Sequence, residues 1–350
     1  MSHVGILGYG LYRPANFMSA ADIAAATGGH WSEKAVQEKL GILRKAIPGP
    51  EDGTQEMGAR AGLDALARSG LDPLEIDLIL CMGEEWKEYP LTTSAIYIQE
   101  RIGAHNAWGI DLQQRCNTTV AAIKIAKDMM IADPEIRTTM IVGGYRNGDF
   151  IDFTDPDVSF MYDLAAGAGA LIMRRDLGRN LVLGSHIITD GSLARDVGVL
   201  YDGTINPVEK WSESVLTDIR ARGNLSLRVF DAEHMKNRLN DVSMPNWLKC
   251  IDRALEKSGA TRAEIDFLNV LHFKRSMHAG LLELLKLKPE QATYLEDYGH
   301  VGQVDFMIAL HEGLQQGRLQ DGHLMVAIAA GIGYVWGATV VRWGPEIPAH

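Results

Sequence analysis

Three residues of this chain have the types and settings for nucleophilic and proton-transfer chemistry: Cys116, His272 and His300. The segment Ala107-Trp108-Gly109-Ile110-Asp111-Leu112 reads as extended and leads through Gln113, Gln114 and Arg115 to Cys116. Asn117-Thr118-Thr119 then opens a helical run, Val120 to Ala126. A thiol at a helix start meets unpaired backbone N–H groups and the positive end of the helix dipole, which favour the thiolate, and Arg115 adds to this. A lone cysteine is also a common small buried hydrophobe. Cys81, in an apolar strand, and Cys250, in a helical stretch after Trp247-Leu248-Lys249, have that plainer setting.

His272 closes the apolar strand Phe267-Leu268-Asn269-Val270-Leu271, and His300 sits in the glycine-flanked turn Asp297-Tyr298-Gly299-His300-Val301-Gly302-Gln303 before a helix. Strand ends and the loops beyond them are where α/β proteins place chemistry. Imidazole suits proton transfer near neutral pH, but the chain holds 11 histidines, so these two matter only if they converge with Cys116. Near the C-terminus, Ala327 to Gly337 joins two apolar strands through Gly331-Ile332-Gly333. That turn offers either backbone N–H groups for a thioester oxyanion or simply a tight hairpin. Neither Gly8-Tyr9-Gly10 nor Gly167-Ala168-Gly169 completes a dinucleotide fingerprint or a P-loop, and no Cys or His spacing suggests zinc.

These residues need a sizeable scaffold, and 350 residues supply either two domains or one duplicated core. The composition, 46% hydrophobic and 23% charged, is that of a soluble globular protein, and no stretch approaches the roughly 18 apolar residues of a membrane span. The N-terminus lacks a secretory pattern, and three cysteines are too few for a disulfide framework, so a reducing cytoplasm is expected. A net charge of −11 argues against nucleic acid as partner. It leaves room for a local basic mouth that receives an anionic substrate.

Helix and strand signals alternate: strands at Val4 to Leu7, Leu78 to Met82, Thr139 to Gly144 and from Gly167 to Met173, with helices from about Gly58 to Ser69 and after Cys116. This is the rhythm of an α/β protein. It is also repeated. Ala65-Leu66-Ala67-Arg68-Ser69-Gly70 returns as Ala254-Leu255-Glu256-Lys257-Ser258-Gly259, and Glu75-Ile76-Asp77 as Glu264-Ile265-Asp266, both 189 residues on (254 − 65 and 264 − 75). In each copy an amphipathic helix ends at a glycine suited to a left-handed cap, and a short turn feeds an apolar strand. No linker separates the copies, so two halves, 1–176 with the cysteine and 177–350 with the histidines, are expected to pack as one body.

Taken together these segments resemble the thiolase superfamily, and within it the beta-ketoacyl-acyl carrier protein synthase III group. The resemblance runs through Gly8 to Pro14, Leu40-Gly41-Ile42, the cysteine helix, Gly167-Ala168-Gly169-Ala170, the strand ending in His272, the Tyr298-Gly299-His300 turn and Gly331 to Trp343; it is weakest around residues 190–240. It implies a duplicated five-layered α/β/α/β/α fold, a homodimer, no bound cofactor, and CoA or acyl carrier protein thioesters as substrates. By the same resemblance Cys116 accepts the acyl group, backbone N–H groups of Cys116 and Ile332 hold the oxyanion, and His272 is the family's histidine. Trp31 matches the tryptophan that stacks on the CoA adenine, although the spacing after it is longer here.

Three departures stand out. His300 occupies the position where the synthase III group has Asn, as in the Cys-His-His elongating enzymes of the superfamily. The family's His-Gln-Ala-Asn is His272-Phe273-Lys274-Arg275, with Lys274 and Arg275 available to phosphates or an acidic carrier protein, and the small residues before the cysteine become Gln113-Gln114-Arg115. The expected activity is decarboxylative condensation of an acyl-cysteine with a malonyl thioester. The alternatives are non-decarboxylative acyl transfer to a small-molecule acceptor and a non-catalytic thiolase-fold subunit.

Overall fold

Nine strands assemble into one sheet in a computed structural model that describes residues 2–200, 203–205, 207–222 and 225–345. Its strands are β1 Val4–Tyr12, β2 Leu78–Met82, β3 Trp108–Leu112, β4 Thr138–Tyr145, β5 Gly167–Arg175, β6 Arg179–Thr189, β7 Phe267–Val270, β8 Leu324–Gly331 and β9 Val335–Pro345. They lie in the order β7-β8-β9-β6-β1-β5-β4-β2-β3. From the junction of β1 with β6, at the pair Gly5–Leu181, the two wings repeat one pattern: two antiparallel pairings followed by a parallel one. Parallel neighbours need a crossover helix, and helices α1 Thr54–Ser69, α2 Ser94–Ile102, α3 Thr118–Ala132, α4 Ala232–Lys257, α5 Arg275–Leu285 and α6 Asp305–Gln315 pack on the wings.

Three apolar cores set the layers. Ala122, Ile123 and Ala126 of α3 and Phe306, Met307 and Leu310 of α6 share a core with Ile6 and Leu80 of one wing and Ala327 and Val341 of the other, so the two helices are sandwiched between the wings. Ala61, Ala65 and Ile98 of α1 and α2 cover the outside of the first wing. Trp247, Ile251 and Leu281 of α4 and α5 cover the outside of the second. The result is the five-layered duplicated α/β/α/β/α arrangement.

The duplication reaches individual bonds. Gly70 and Gly259 both adopt left-handed φ values, +66° and +67°. Ser69 Oγ donates to the Ala65 carbonyl at 2.8 Å and Ser258 Oγ to the Ala254 carbonyl at 2.7 Å. Asp77 accepts the Thr138 N–H, and Asp266 the Leu324 N–H, each at 2.8 Å. Two boundaries differ from the sequence expectation for reasons remote in the chain. The first long helix starts at Thr54 rather than near Gly58 because Glu88 accepts from the N–H groups of Gln55 and Glu56 at 2.9 and 3.1 Å, satisfying donors that nothing nearby would cap. The opening strand runs past Leu7 to Tyr12 because Gly8, Tyr9 and Gly10 pair with Ile172, Leu171 and Ala170. No described helix is long and apolar enough to cross a membrane.

Candidate active site

Cys116 sits in a single 3-10 turn, Arg115–Asn117, at the head of α3. Arg115 before it takes a left-handed φ of +53°, a conformation that costs a non-glycine residue of order 1 kcal/mol. Side-chain bonds hold that turn: Thr118 Oγ1 donates to the Arg115 carbonyl at 2.6 Å and accepts the Gln114 N–H at 2.9 Å, and Asn117 Nδ2 donates to Gln114 Oε1 at 2.7 Å. Helix α6 is introduced in the same way, by the 3-10 turn Gly302–Val304. Thr119 Oγ1 donates to the Gln303 carbonyl at 2.6 Å, so the two helix starts are tied together.

His300 enters through a backbone shaped for it. Gly299 and Gly302 on either side have φ of +71° and +59°, and a Cβ on Gly302 would lie 2.3 Å from the Tyr145 ring. The His300 N–H donates to the Asp163 carbonyl and the His300 carbonyl accepts the Ala165 N–H, both at 2.9 Å. The ring then bridges two partners: Nε2 lies 3.2 Å from Cys116 Sγ and Nδ1 2.6 Å from Asp305 Oδ2. Burial opposes a charge on this imidazole, but the Asp305 carboxylate and then Cys116 outweigh it, so the His300 pKa is raised well above its ordinary value.

The second histidine is held differently. The His272 main-chain N–H donates to Asp305 Oδ2 at 2.8 Å, while its ring reaches the Leu40 carbonyl through Nε2 at 3.1 Å and lies 3.6 Å from Asp163 Oδ2. A carbonyl only accepts, so Nε2 carries the proton and Nδ1 presents a lone pair, with no hydrogen-bond partner among the described residues. Burial lowers the His272 pKa, against the pull of Asp163 and Asp305. Asp305, fully buried, therefore serves both histidines and also accepts the Val301 N–H at 2.8 Å. Its sequence signal, an aspartate five residues after His300, is the same as that of any helix-start acid complementing a dipole.

The structure brings Cys116, His300 and the Ile332 hairpin together. A Cβ on Gly331 would lie 2.9 Å from the Gln114 carbonyl oxygen and 3.1 Å from the Cys116 nitrogen, so only glycine lets the hairpin lie against the cysteine backbone. Cys116 and Ile332 line one cavity of about 320 Å³ together with Glu84, Trp86, Tyr145 and Leu164. The other sequence candidates are elsewhere. Trp31 packs edge-on against Tyr162, with Lys39 Nζ 5.5 Å from its ring. Arg275 is exposed, paired with Glu296 at 2.7 Å and stacked over Tyr294, and Lys274 is exposed at the start of α5.

One residue with no sequence signal at all is Lys45. It is buried, with Nζ donating to the Tyr162 and Leu164 carbonyls at 2.7 Å each. Burial, offset by Asp163 and Asp149, pushes its pKa down to about 7. The segment it holds is the one that bonds the His300 backbone and brings Asp163 to His272. Lys45→Met is expected to leave two buried carbonyls without donors and cost about 1–3 kcal/mol. A fall in urea midpoint with unchanged slope is the readout; an unmoved midpoint contradicts this role.

Among the described residues no group of His, Cys, Asp and Glu is arranged to hold a metal ion. Two family models match the chain: 3-oxoacyl-[acyl-carrier-protein (ACP)] synthase III over residues 110–191, which holds Cys116, and 3-oxoacyl-[acyl-carrier-protein (ACP)] synthase III C terminal over residues 255–343, which holds His272 and His300. Curated relatives include beta-ketoacyl-[acyl-carrier-protein] synthase III of Symbiobacterium thermophilum, 26% identical over 97% of this chain and 98% of that one. Another is beta-ketoacyl-[acyl-carrier-protein] synthase III 1 of Bacillus anthracis, 27% identical over 98% of this chain and 99% of that one. Similar solved structures include the 3-oxoacyl-[acyl-carrier-protein] synthase III of Aquifex aeolicus, with a TM-score of 0.80, 22% identity and coverage of 97% of this chain and 100% of that one. The Thermus thermophilus synthase III has a TM-score of 0.82 at 21% identity, covering 97% and 99%.

Proposed function

From the premise that this chain belongs to the thiolase superfamily, in its beta-ketoacyl-acyl carrier protein synthase III-like branch, we propose that it is an acyltransferase that loads Cys116 and condenses the acyl group decarboxylatively with a malonyl thioester. The observation that carries this is the 3.2 Å contact of Cys116 Sγ with His300 Nε2, with Asp305 behind the imidazole. Cys116 passes its proton to Nε2 and attacks the acyl thioester carbonyl; backbone N–H groups of Cys116 and Ile332 hold the oxyanion. The C–S bond to the carrier breaks, and the departing thiolate takes the proton from His300. When the malonyl thioester enters, its carboxyl C–C bond breaks to give carbon dioxide and an enolate. The enolate carbon attacks the acyl-cysteine carbonyl, and Cys116 leaves as the thiolate. His300, reprotonated at Nε2 from solvent, donates to the enolate oxygen, and His272, whose backbone N–H shares the same Asp305 oxygen, lies beside it.

A second reading has its own support. A nucleophile, an imidazole and a carboxylate in series is the relay of acyl transfer to hydroxyl or amine acceptors, in which His300 acts as the base. Carbon dioxide separates the two. With pre-acylated enzyme and labelled malonyl-CoA or malonyl-carrier protein, condensation is expected to release carbon dioxide and beta-ketoacyl product in equal amounts. Turnover of the acyl group with malonate untouched would leave the transfer reading alone.

The same proposal assigns residues 1–176 to the half with the nucleophile and 177–350 to the half with the histidines, the boundary falling in the turn between β5 and β6. It places Trp31, Lys274 and Arg275 on the approach of CoA or an acidic carrier protein. A homodimer is supported by the edge strand β3, where Trp108 and Ile110 are 49% and 43% exposed, and by Tyr89 and Leu91 near it; such an apolar edge calls for a second copy. Three buried, unpaired cysteines support a reducing cytoplasm.

A further inference from the structure

The cavity at Cys116 is lined by residues of two kinds. Val197, Val199, Leu225, Leu227 and Leu164 are apolar; Glu84, Arg115 and Asn147 are polar. Glu84 follows β2 and is 5% exposed. Its Oε2 accepts from Asn147 Nδ2 at 3.2 Å and lies 3.7 Å from the Arg115 guanidinium. Its Oε1 has no hydrogen-bond donor among the described residues, nor do Asn147 Oδ1 and the Oε1 of Gln303, whose amide lies beside Glu84 and donates to the Met82 carbonyl. Three buried oxygens in one neighbourhood thus lack a donor of good geometry from the described residues, a pattern that in native interiors marks a place for a water, an ion or a functional partner. Burial raises the Glu84 carboxyl above its ordinary range, against Arg115 and the two amides.

A plain alkyl chain would leave these acceptors unmet, and a carboxylate would add more acceptors. We propose that Cys116 takes acyl groups carrying a hydroxyl or amino hydrogen-bond donor on the chain, and that Glu84, with Asn147 and Gln303 beside it, is the residue that selects them over alkyl and carboxylated acyl groups. This rests on the reading that Cys116 is the acyl carrier. A site built to meet a polar group discriminates against the analogue that lacks it more strongly than an apolar pocket discriminates by size.

The test is competitive loading of the full chain, followed by intact mass, with butyryl-CoA against beta-hydroxybutyryl-CoA, beta-aminobutyryl-CoA and succinyl-CoA. The hydroxy or amino donor is expected to load at least roughly tenfold faster than butyryl, and succinyl most slowly. Glu84→Leu is expected to reverse the order in favour of butyryl. If that variant does not fold, Asn147→Ala is expected to shrink the preference, and the native protein alone decides between the donors. Butyryl loading as fast as both donor-bearing chains overturns the proposal and leaves Cys116 as carrier intact. No adduct on Cys116 from any donor overturns both.

Discussion

Replacing Cys116 by alanine is expected to abolish the acyl mass adduct and to lower turnover by on the order of 10⁴-fold or more, the scale seen when a covalent nucleophile is removed. The fold should survive, because Cys116 is 8% exposed at the tip of a turn whose shape is held by Gln114, Asn117 and Thr118 rather than by the thiol. Incubation of the native and altered proteins with a series of acyl-CoAs, read by intact mass, checks this. An adduct that persists in the alanine protein would move the nucleophile elsewhere, since Cys81 and Cys250 are the remaining cysteines and burial raises both thiols above their ordinary range.

Asp305→Asn is expected to reduce the acylation rate by about 10²–10⁴-fold, because an amide has one acceptor oxygen where the carboxylate uses two, one for the His300 ring and the His272 N–H and one for the Val301 N–H, and it carries no charge to stabilise an imidazolium. The sign of the pH effect follows from His300. Its folded pKa is raised, so the ion pair contributes stability that is fully present below the unfolded value near 6.5 and is lost as pH rises through the folded value. Without the Asp305 charge the folded value drops, and the alkaline limb of the acylation profile is expected to move to lower pH. A rate loss with an unmoved alkaline limb would mean that Asp305 acts on packing alone. The loss should also be felt at His272, whose backbone N–H shares the same oxygen.

The parts legible in the sequence are those whose signals are local. Apolar runs such as Leu78–Met82 became strands at the expected bounds, and the cap at Gly70 repeats at Gly259 because a left-handed helix end selects glycine wherever it occurs. Cys116 and His300 were readable as residues at element ends, which is a property of spacing. What joins them was not. Asp305 looks like an ordinary helix-start acid until the Gly299–Gly302 turn brings His300 back over it. Lys45 and Glu84 lie in short segments whose neighbours in space, residues 162–164 in one case and Asn147 and Gln303 in the other, are 60 or more positions away, so no local pattern marks them. The same holds for Glu88, which starts a helix from 33 residues downstream of the N–H it caps.

The tie between Thr119 and the Gln303 carbonyl has an electrostatic meaning beyond holding two turns together. It fixes the heads of α3 and α6 side by side, so two helix dipoles present their positive ends to the same small volume. In a chain of net charge −11, that makes the surroundings of Cys116 a local sink for electron density. An oxyanion formed there meets a field assembled when the protein folded, with no dipole left to turn as the charge appears.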